Sequence, residues 1–440
     1  MRDADRRRRI RWLAPGVILG IAGLALSACG SSGTGGQAAG TAAHPVVLQF
    51  WNTYNQTDAE ASTIAKVIIP AFEKTHPGIK VVSDVYPTTE TEMYSKLLAS
   101  INAGDPPDIV RSDIAWVPGL AQEGALVPLS QKMPGFQALA SAVYPGTLSP
   151  VKWKGVSYGL PVDSNTQCLF WNKADFTSAG LSGPPATMSQ LLSDARKLTS
   201  PARKQWGLGV DGTDLWNVLP YVWSAGGRIT NSTYSTASGY LNSAATVGEL
   251  STLTGLFSSG VVGSDILGGT GVVSGEQGFP TGKYAMYIDG PWAVGTYSGG
   301  TPALTYGKQY SIAPMPSGPG GSVSVIGGED LVVPTGSKHA AAAEAFVKYM
   351  MSPTVQLEMA KAGQMSVLKS AGPAETRLHS YYAPFTRQLL TAQARPPVPN
   401  YTKIDTDISN ALSAALHRKG SVKQELDAVT PQVNQLLAGS

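Results

Sequence analysis

Cysteine is nearly absent from this 440-residue chain, which has only Cys29 and Cys168. Two cysteines cannot build a disulfide framework, and neither stands in a Cys/His cluster with metal-site spacing. Charge is scarce too, at 14% against the ~25% usual for soluble domains. A disordered tail protein is excluded, because it would need high charge and few aromatics, whereas this chain has 9 Trp, 17 Tyr and 9 Phe. A basic surplus is missing once the first 28 residues are set aside. Removing their six Arg and two Asp leaves 27 basic against 28 acidic residues, so +3 becomes −1. A nucleic-acid partner is therefore not expected, since binding one needs a basic patch.

What is present begins with a targeting pattern. The basic run Asp5–Trp12 precedes an apolar stretch, Leu13 to Leu26. As a helix that stretch would rise ~21 Å, short of a ~30 Å hydrocarbon core, so it reads as an export signal. Leu26-Ser27-Ala28-Cys29 resembles the bacterial lipobox. That resemblance implies removal of residues 1–28 and lipidation of Cys29, with stable anchoring needing two or more acyl chains. Residues 29–43, rich in Gly, Ser, Thr and Ala, predict a flexible tether. Cys168 lies in the apolar run Cys168-Leu169-Phe170-Trp171 and is expected to be a buried core thiol rather than a nucleophile.

The mature chain starts with a βαβ rhythm. Val46–Trp51 predicts a buried strand, about Asp58 to Lys74 a helix ending at His76-Pro77-Gly78, and Ile79–Val82 a second strand. Glu92–Ala103 predicts a helix capped by Gly104, and Pro107–Val110 a third strand. Alternation of this kind implies an α/β lobe with a parallel sheet. Further helices are expected at 184–200, 249–257, 338–351, 353–361, 376–391, 404–418 and 421–437, the last opened by Ser421 and Glu425. The glycine-rich stretch 263–282 is not a phosphate loop, because no Gly-Lys-Ser/Thr follows.

Several segments, in order and over about 330 residues, resemble the sugar-binding proteins of ABC importers, the large family that includes maltose-binding protein. They include Phe72–Ile79, Gly104–Ile109, Leu126–Leu129, Tyr158–Pro161 with Trp171-Asn172-Lys173, Gly282–Met286, Gly290-Pro291-Trp292 and Gly327–Leu331. The resemblance implies an α/β, two-lobed periplasmic-binding-protein-like fold with interleaved lobes and a central ligand cleft. On this sequence the first lobe is expected at 44–161 plus 328–365 and the second at 162–327 plus 366–440. Hinge strands are expected near Pro161–Thr166, Val323–Gly328 and Gly363–Val367.

A sugar offers flat apolar ring faces, which suit Trp and Tyr, and hydroxyls, which suit Asp, Glu, Asn and Arg. Ligands of α/β proteins sit beyond strand ends. The candidate ligand residues are accordingly Trp51, Asn52, Asp113, Asp163, Asn165, Trp223, Trp292, Gly327, Gly328 and Glu329. Trp216 and Tyr221 are weaker candidates, and Asp108, between Pro107 and Ile109, reads as structural. Trp292 follows Gly290-Pro291, which fixes the turn and removes bulk. The function expected is capture of a disaccharide or short oligosaccharide by lobe closure, followed by delivery to the transmembrane subunits of a permease. The chain is expected to be a monomer anchored through Cys29 at the outer face of the cytoplasmic membrane, without cofactor or metal. The alternatives are a receptor for a non-sugar solute such as a glycerophosphodiester, which would want a base-rich cleft, and a secreted carbohydrate-active enzyme.

Overall fold

The computed structural model describes residues 40–54, 59–85, 90–263 and 274–439. The export segment, Cys29, most of the predicted tether and residues 264–273 of the glycine-rich stretch lie outside them. Ahead of the first strand, Thr41 and His44 exchange backbone hydrogen bonds of 3.1 and 3.0 Å.

In chain order the strands are β1 (Val46–Asn52), β2 (Ile79–Val85), β3 (Ile109–Asp113), β4 (Lys152–Trp153), β5 (Val156–Ser157), β6 (Gly159–Thr166) and β7 (Cys168–Asn172). They continue with β8 (Leu208–Gly209), β9 (Val262–Gly263), β10 (Met286–Asp289), β11 (Tyr310–Ala313), β12 (Val325–Val332) and β13 (Gln393–Ala394). One sheet runs β13-β12-β3-β1-β2, with β6 also paired to β12; a second runs β11-β7-β10-β8-β9. In the first, β1 is parallel to β2 and β3, as the βαβ rhythm requires, and β12 is antiparallel to β3. Each sheet has apolar clusters of its own: Leu48, Phe50, Phe72 and Phe346 in one, and Leu169, Leu219, Met286 and Ile404 in the other. The result is a two-lobed α/β protein.

The lobes are interleaved. Only Gln167 separates β6, in the first sheet, from β7, in the second. Strand β12 returns from the second lobe and pairs with β6 from Ile326↔Thr166 to Val332↔Gly159. A third crossing lies beside them, where Ser164 N–H donates to the Met365 carbonyl at 3.0 Å. A fourth passage, β13, pairs with Val325 and Ile326 before the chain re-enters the second lobe. Beyond the third crossing, Val367, Leu368 and Ala371 pack in the same apolar cluster as Leu48 and Phe50.

Two local departures have clear causes. The helix from Ala59 to Thr75 contains a π-helical stretch, Ile64–Ile68, with Ile69 N–H donating to the Ile64 carbonyl. Pro70 has no N–H for the regular ladder, which lets the register widen there. The final helix, Val422–Ala438, has its capping box between Ser421 and Gln424, not Glu425. Position N3 is the one that reaches back to the N-cap amide. Among the described residues no helix is long and apolar enough to cross a membrane.

Candidate functional site

A cavity of about 650 Å³ lies where the crossings meet the two sheets. That is within the ~300–1,000 Å³ typical of small-ligand sites. Three groups of residues build it. Thr53 and Tyr54 follow β1, and Arg111 and Asp113 come from β3; the crossings add Asn165, Gly327, Gly328, Glu329, Gln364 and Arg395. The second lobe contributes Asp214, Trp216, Glu276, Trp292 and Asp405, and Glu60 completes the wall.

The polar side is a tied network. The Arg111 guanidinium lies 2.6 Å from a Glu329 oxygen and 3.9 Å from Asp163, and donates to Thr53 Oγ1 at 3.0 Å. Its carbon sits 3.8 Å from the centre of the Tyr54 ring, whose hydroxyl donates to Asp163 at 3.1 Å. Burial drives the Glu329 carboxyl up, and Asp163 adds to the rise against the opposing pull of Arg111. Arg395 Nη2 forks onto both oxygens of Asp113, at 2.8 and 2.7 Å. Asp113 also accepts from Ala115 N–H at 2.7 Å, so it caps the turn after β3 and holds an arginine at once.

The apolar side is a pair of indoles. Trp216 and Trp292 stack with centroids 6.2 Å apart and planes 30° apart. Trp216 is carried on the first turn of the helix Leu215–Ser224, whose N-cap Asp214 accepts from Asn217 N–H. Trp292 opens the helix Trp292–Gly299 behind Pro291. Its six-membered ring folds over Gly290, where a Cβ would strike it. Its Nε1–H donates to Glu276 at 3.1 Å. Arg395 lies 5.5 Å from the Trp216 ring and joins the two sides.

Asp113, Asn165, Trp292, Gly327, Gly328 and Glu329 thus meet at one cavity. Asp163 stands just behind its wall, holding Tyr54 and Arg111. The other three candidates lie elsewhere. Trp51 packs against the cluster of Met93, Leu97, Val110 and Trp116, with the ammonium of Lys96 5.5 Å from its ring centre. Asn52 is fully buried and donates to Ser83 across the β1–β2 pair at 2.9 Å. The chain reaches the cavity one or two residues later, at Thr53 and Tyr54. Trp223 is core: it lies two turns, ~10 Å, further along the helix that shows Trp216 to the cavity. Gly327 leaves room for Trp216 and Asn165, with the ring only 2.6 Å from where a Cβ would sit. Gly328 adopts φ +139° against the Asp163 carbonyl. The two glycines therefore serve the packing of the wall. Asp108 accepts from Gln49 N–H and Ser337, tying β1 to the start of a later helix.

Arg111 was legible in principle, because strand periodicity puts it on the same side as Asp113. Glu60, Asp214, Glu276 and Asp405 carry no local signal. Cys168 is fully buried, and burial raises its thiol pKa, as suits an inert core residue.

Asp405 is pushed up to about 7, first by burial and then by the charge of Asp214. An acid whose pKa rises from 3.8 to about 7 on folding leaves stability untouched at low pH and removes it as pH climbs between those values. Asp405→Asn keeps an oxygen for Leu215 N–H, which Asp405 accepts at 2.7 Å. It is expected to stabilise the fold by on the order of 2 kcal/mol at pH 8 and by almost nothing at pH 4. Paired thermal melts at the two pH values check this; a difference that does not change with pH would remove the assignment.

Residues 55–357 match the family model described as bacterial extracellular solute-binding protein. The galactooligosaccharide-binding protein of Bacillus subtilis (strain 168) is 24% identical over 414 residues, covering 92% of each chain. An sn-glycerol-3-phosphate-binding periplasmic protein of Rhizobium meliloti (strain 1021) is 26% identical, but over only 40% of this chain and 43% of its own. The solved GacH receptor of Streptomyces glaucescens, described unliganded and with acarbose, superposes with a TM-score of 0.79 at 27% identity. That match covers 89% of this chain and 98% of the receptor.

Proposed function

This chain belongs to the bacterial extracellular solute-binding proteins, and from that premise we propose that it is the lipid-anchored receptor of an ABC importer for a disaccharide or short oligosaccharide. The observation that carries the reading is one cavity with two stacked indoles on one side and a hydrogen-bonding network of arginines and carboxylates on the other. Sugar ring faces pack on the first and hydroxyls bond to the second. Because the two sides come largely from different lobes, a bound sugar makes both sets of contacts only when the lobes close on it. Its binding energy then favours the closed form. The closed receptor passes its cargo to a membrane permease, and the chain itself performs no chemistry on it. Lipidation at Cys29 would hold the receptor at the outer face of the cytoplasmic membrane.

A phosphate-bearing solute fits less well. Both cavity guanidiniums are already engaged, Arg111 by Glu329 and Arg395 by Asp113, and the wall carries more acids than bases. A thermal-shift screen of the full chain against neutral mono-, di- and oligosaccharides and glycerol 3-phosphate separates the readings. At a hundred times Kd a true ligand stabilises by ~2.7 kcal/mol. A neutral oligosaccharide is expected to raise Tm and to be recovered uncleaved. A shift with glycerol 3-phosphate alone, or sugar cleavage, would overturn the proposal. Recovery in the membrane fraction, lost on Cys29→Ser, checks the anchor.

A further inference from the structure

The lobes also meet beside the cavity, where the chain runs on from Asp113 on one side and from Arg395 on the other. Beyond β3, Trp116 N–H donates to the Asp113 carbonyl at 3.0 Å and the chain enters the helix Val117–Gln122. Val117 and Leu120 pack that helix against Met93 and Leu97 of the first lobe. Beyond β13 the chain passes Val398 and Pro399 into the helix Tyr401–Leu416, and Val398, Tyr401 and Ile404 belong to the second lobe's core. Gly119 is buried where these two segments meet. A Cβ built on it would stand 2.6 Å from the Pro399 carbonyl oxygen, too close to pack. Further along the same helix, the Gln122 side-chain amide donates to the Gly439 carbonyl at 3.1 Å. Asn400 Nδ2 donates to the Leu436 carbonyl at 2.8 Å, which ties the Pro399 segment to the end of the last helix.

Helical backbone accepts alanine and gains stability from it, because glycine loses more conformational freedom on folding. Gly119 is helical and does not adopt the left-handed backbone that favours glycine. The helix itself therefore does not require glycine at this position; the approach of the Pro399 carbonyl does. The Tyr94 hydroxyl lies 3.0 Å from the same point, but it is the end of a side chain that can turn aside. The Pro399 oxygen belongs to backbone held between Val398 and the helix that follows.

We propose that Gly119 is a positioning residue for capture: the Pro399 carbonyl seats on it when the lobes close, and its bare backbone sets how far they close. This deepens the receptor reading and rests on it. A side chain at 119 props the lobes apart. Asp113 lies six residues before Gly119 and Arg395 four before Pro399, so the gap opens beside residues that line the cavity. Cargo that bridges the two walls then loses contacts on one of them and favours the closed form less.

The test is Gly119→Ala in the full chain, read in two ways. The first needs no sugar. Gln122→Cys and Gly439→Cys, both at exposed positions, form a cross-linking pair in a Cys29→Ser background, and Cys168 is buried. A short bis-maleimide joins the pair only while the lobes are closed. Gly119→Ala is expected to slow that cross-linking about threefold or more and to leave the denaturant midpoint equal or higher. The second reading takes whichever of maltose, cellobiose and maltotriose binds wild type best. Its dissociation rate is expected to rise about threefold or more, with the association rate little changed. Gly248→Ala, in the helix Ala244–Ser258 with open space around the added methyl, should alter neither reading. Unchanged cross-linking in Gly119→Ala, or a lowered midpoint, overturns this inference and leaves the carbohydrate receptor standing. Slowed cross-linking in a chain that binds none of the three sugars supports the seat and counts against the carbohydrate reading alone.

Discussion

Trp292→Ala is expected to weaken sugar binding at least tenfold, ~1.4 kcal/mol, while the protein still folds. The indole is half-buried at the cavity, stacked on Trp216 and fixed through Nε1 to Glu276. Its position is specified by the sequence around it. Pro291 starts the helix, and Gly290 offers the bare backbone over which the ring lies. Truncation removes a flat apolar platform and leaves Trp216 without its neighbour, but the core clusters retain their main members. Titration of the best ligand into wild type and variant measures the loss. An unchanged affinity would take Trp292 out of the site.

Trp223→Ala is expected to act in the opposite way, with a loss of stability of ~3–5 kcal/mol, the range for deleting a large core aromatic. Trp223 is 6% exposed and packed in the second lobe's main cluster with Leu219, Val222 and their neighbours. Deleting it opens a void that close-packed surroundings refill only in part. Denaturant melts should show a lower midpoint, and the fraction still folded should bind ligand with near wild-type affinity. A variant with normal stability and lost binding would mean that Trp223, not Trp216, meets the ligand.

The contrast between those two tryptophans shows what the sequence discloses and what it withholds. Strand and helix periodicity predicts β1, β2, β3 and the long helices, because local burial patterns reflect local structure. Gly290-Pro291-Trp292 is readable because its turn chemistry acts over three residues. Trp216 and Trp223 lie on one helical stripe, and nothing local says which turn of the helix reaches the cavity. Trp51 is misleading for a related reason: it still lies within β1, and the chain meets the cavity only past the strand's end, at Thr53 and Tyr54. Arg395 is further out of reach. It becomes a partner of Asp113 only because β13 runs beside β12, a pairing between residues almost 70 positions apart. Glu60 and Asp405 arrive by the same long-range closure.

Acid excess in the cavity is also a product of that closure. The sequence is close to neutral after residue 28, and the residues that bring carboxylates to the wall are scattered from Glu60 to Asp405. Composition therefore says little about the electrostatics that a ligand meets.

The central claim is that one carbohydrate is gripped between the paired indoles and the arginine–carboxylate network. Its most direct test is calorimetric titration of the best oligosaccharide from the screen into wild type and into Trp216→Ala/Trp292→Ala. Wild type should bind one molecule per chain, and the double variant should lose measurable binding. Undiminished affinity in the double variant would contradict the account.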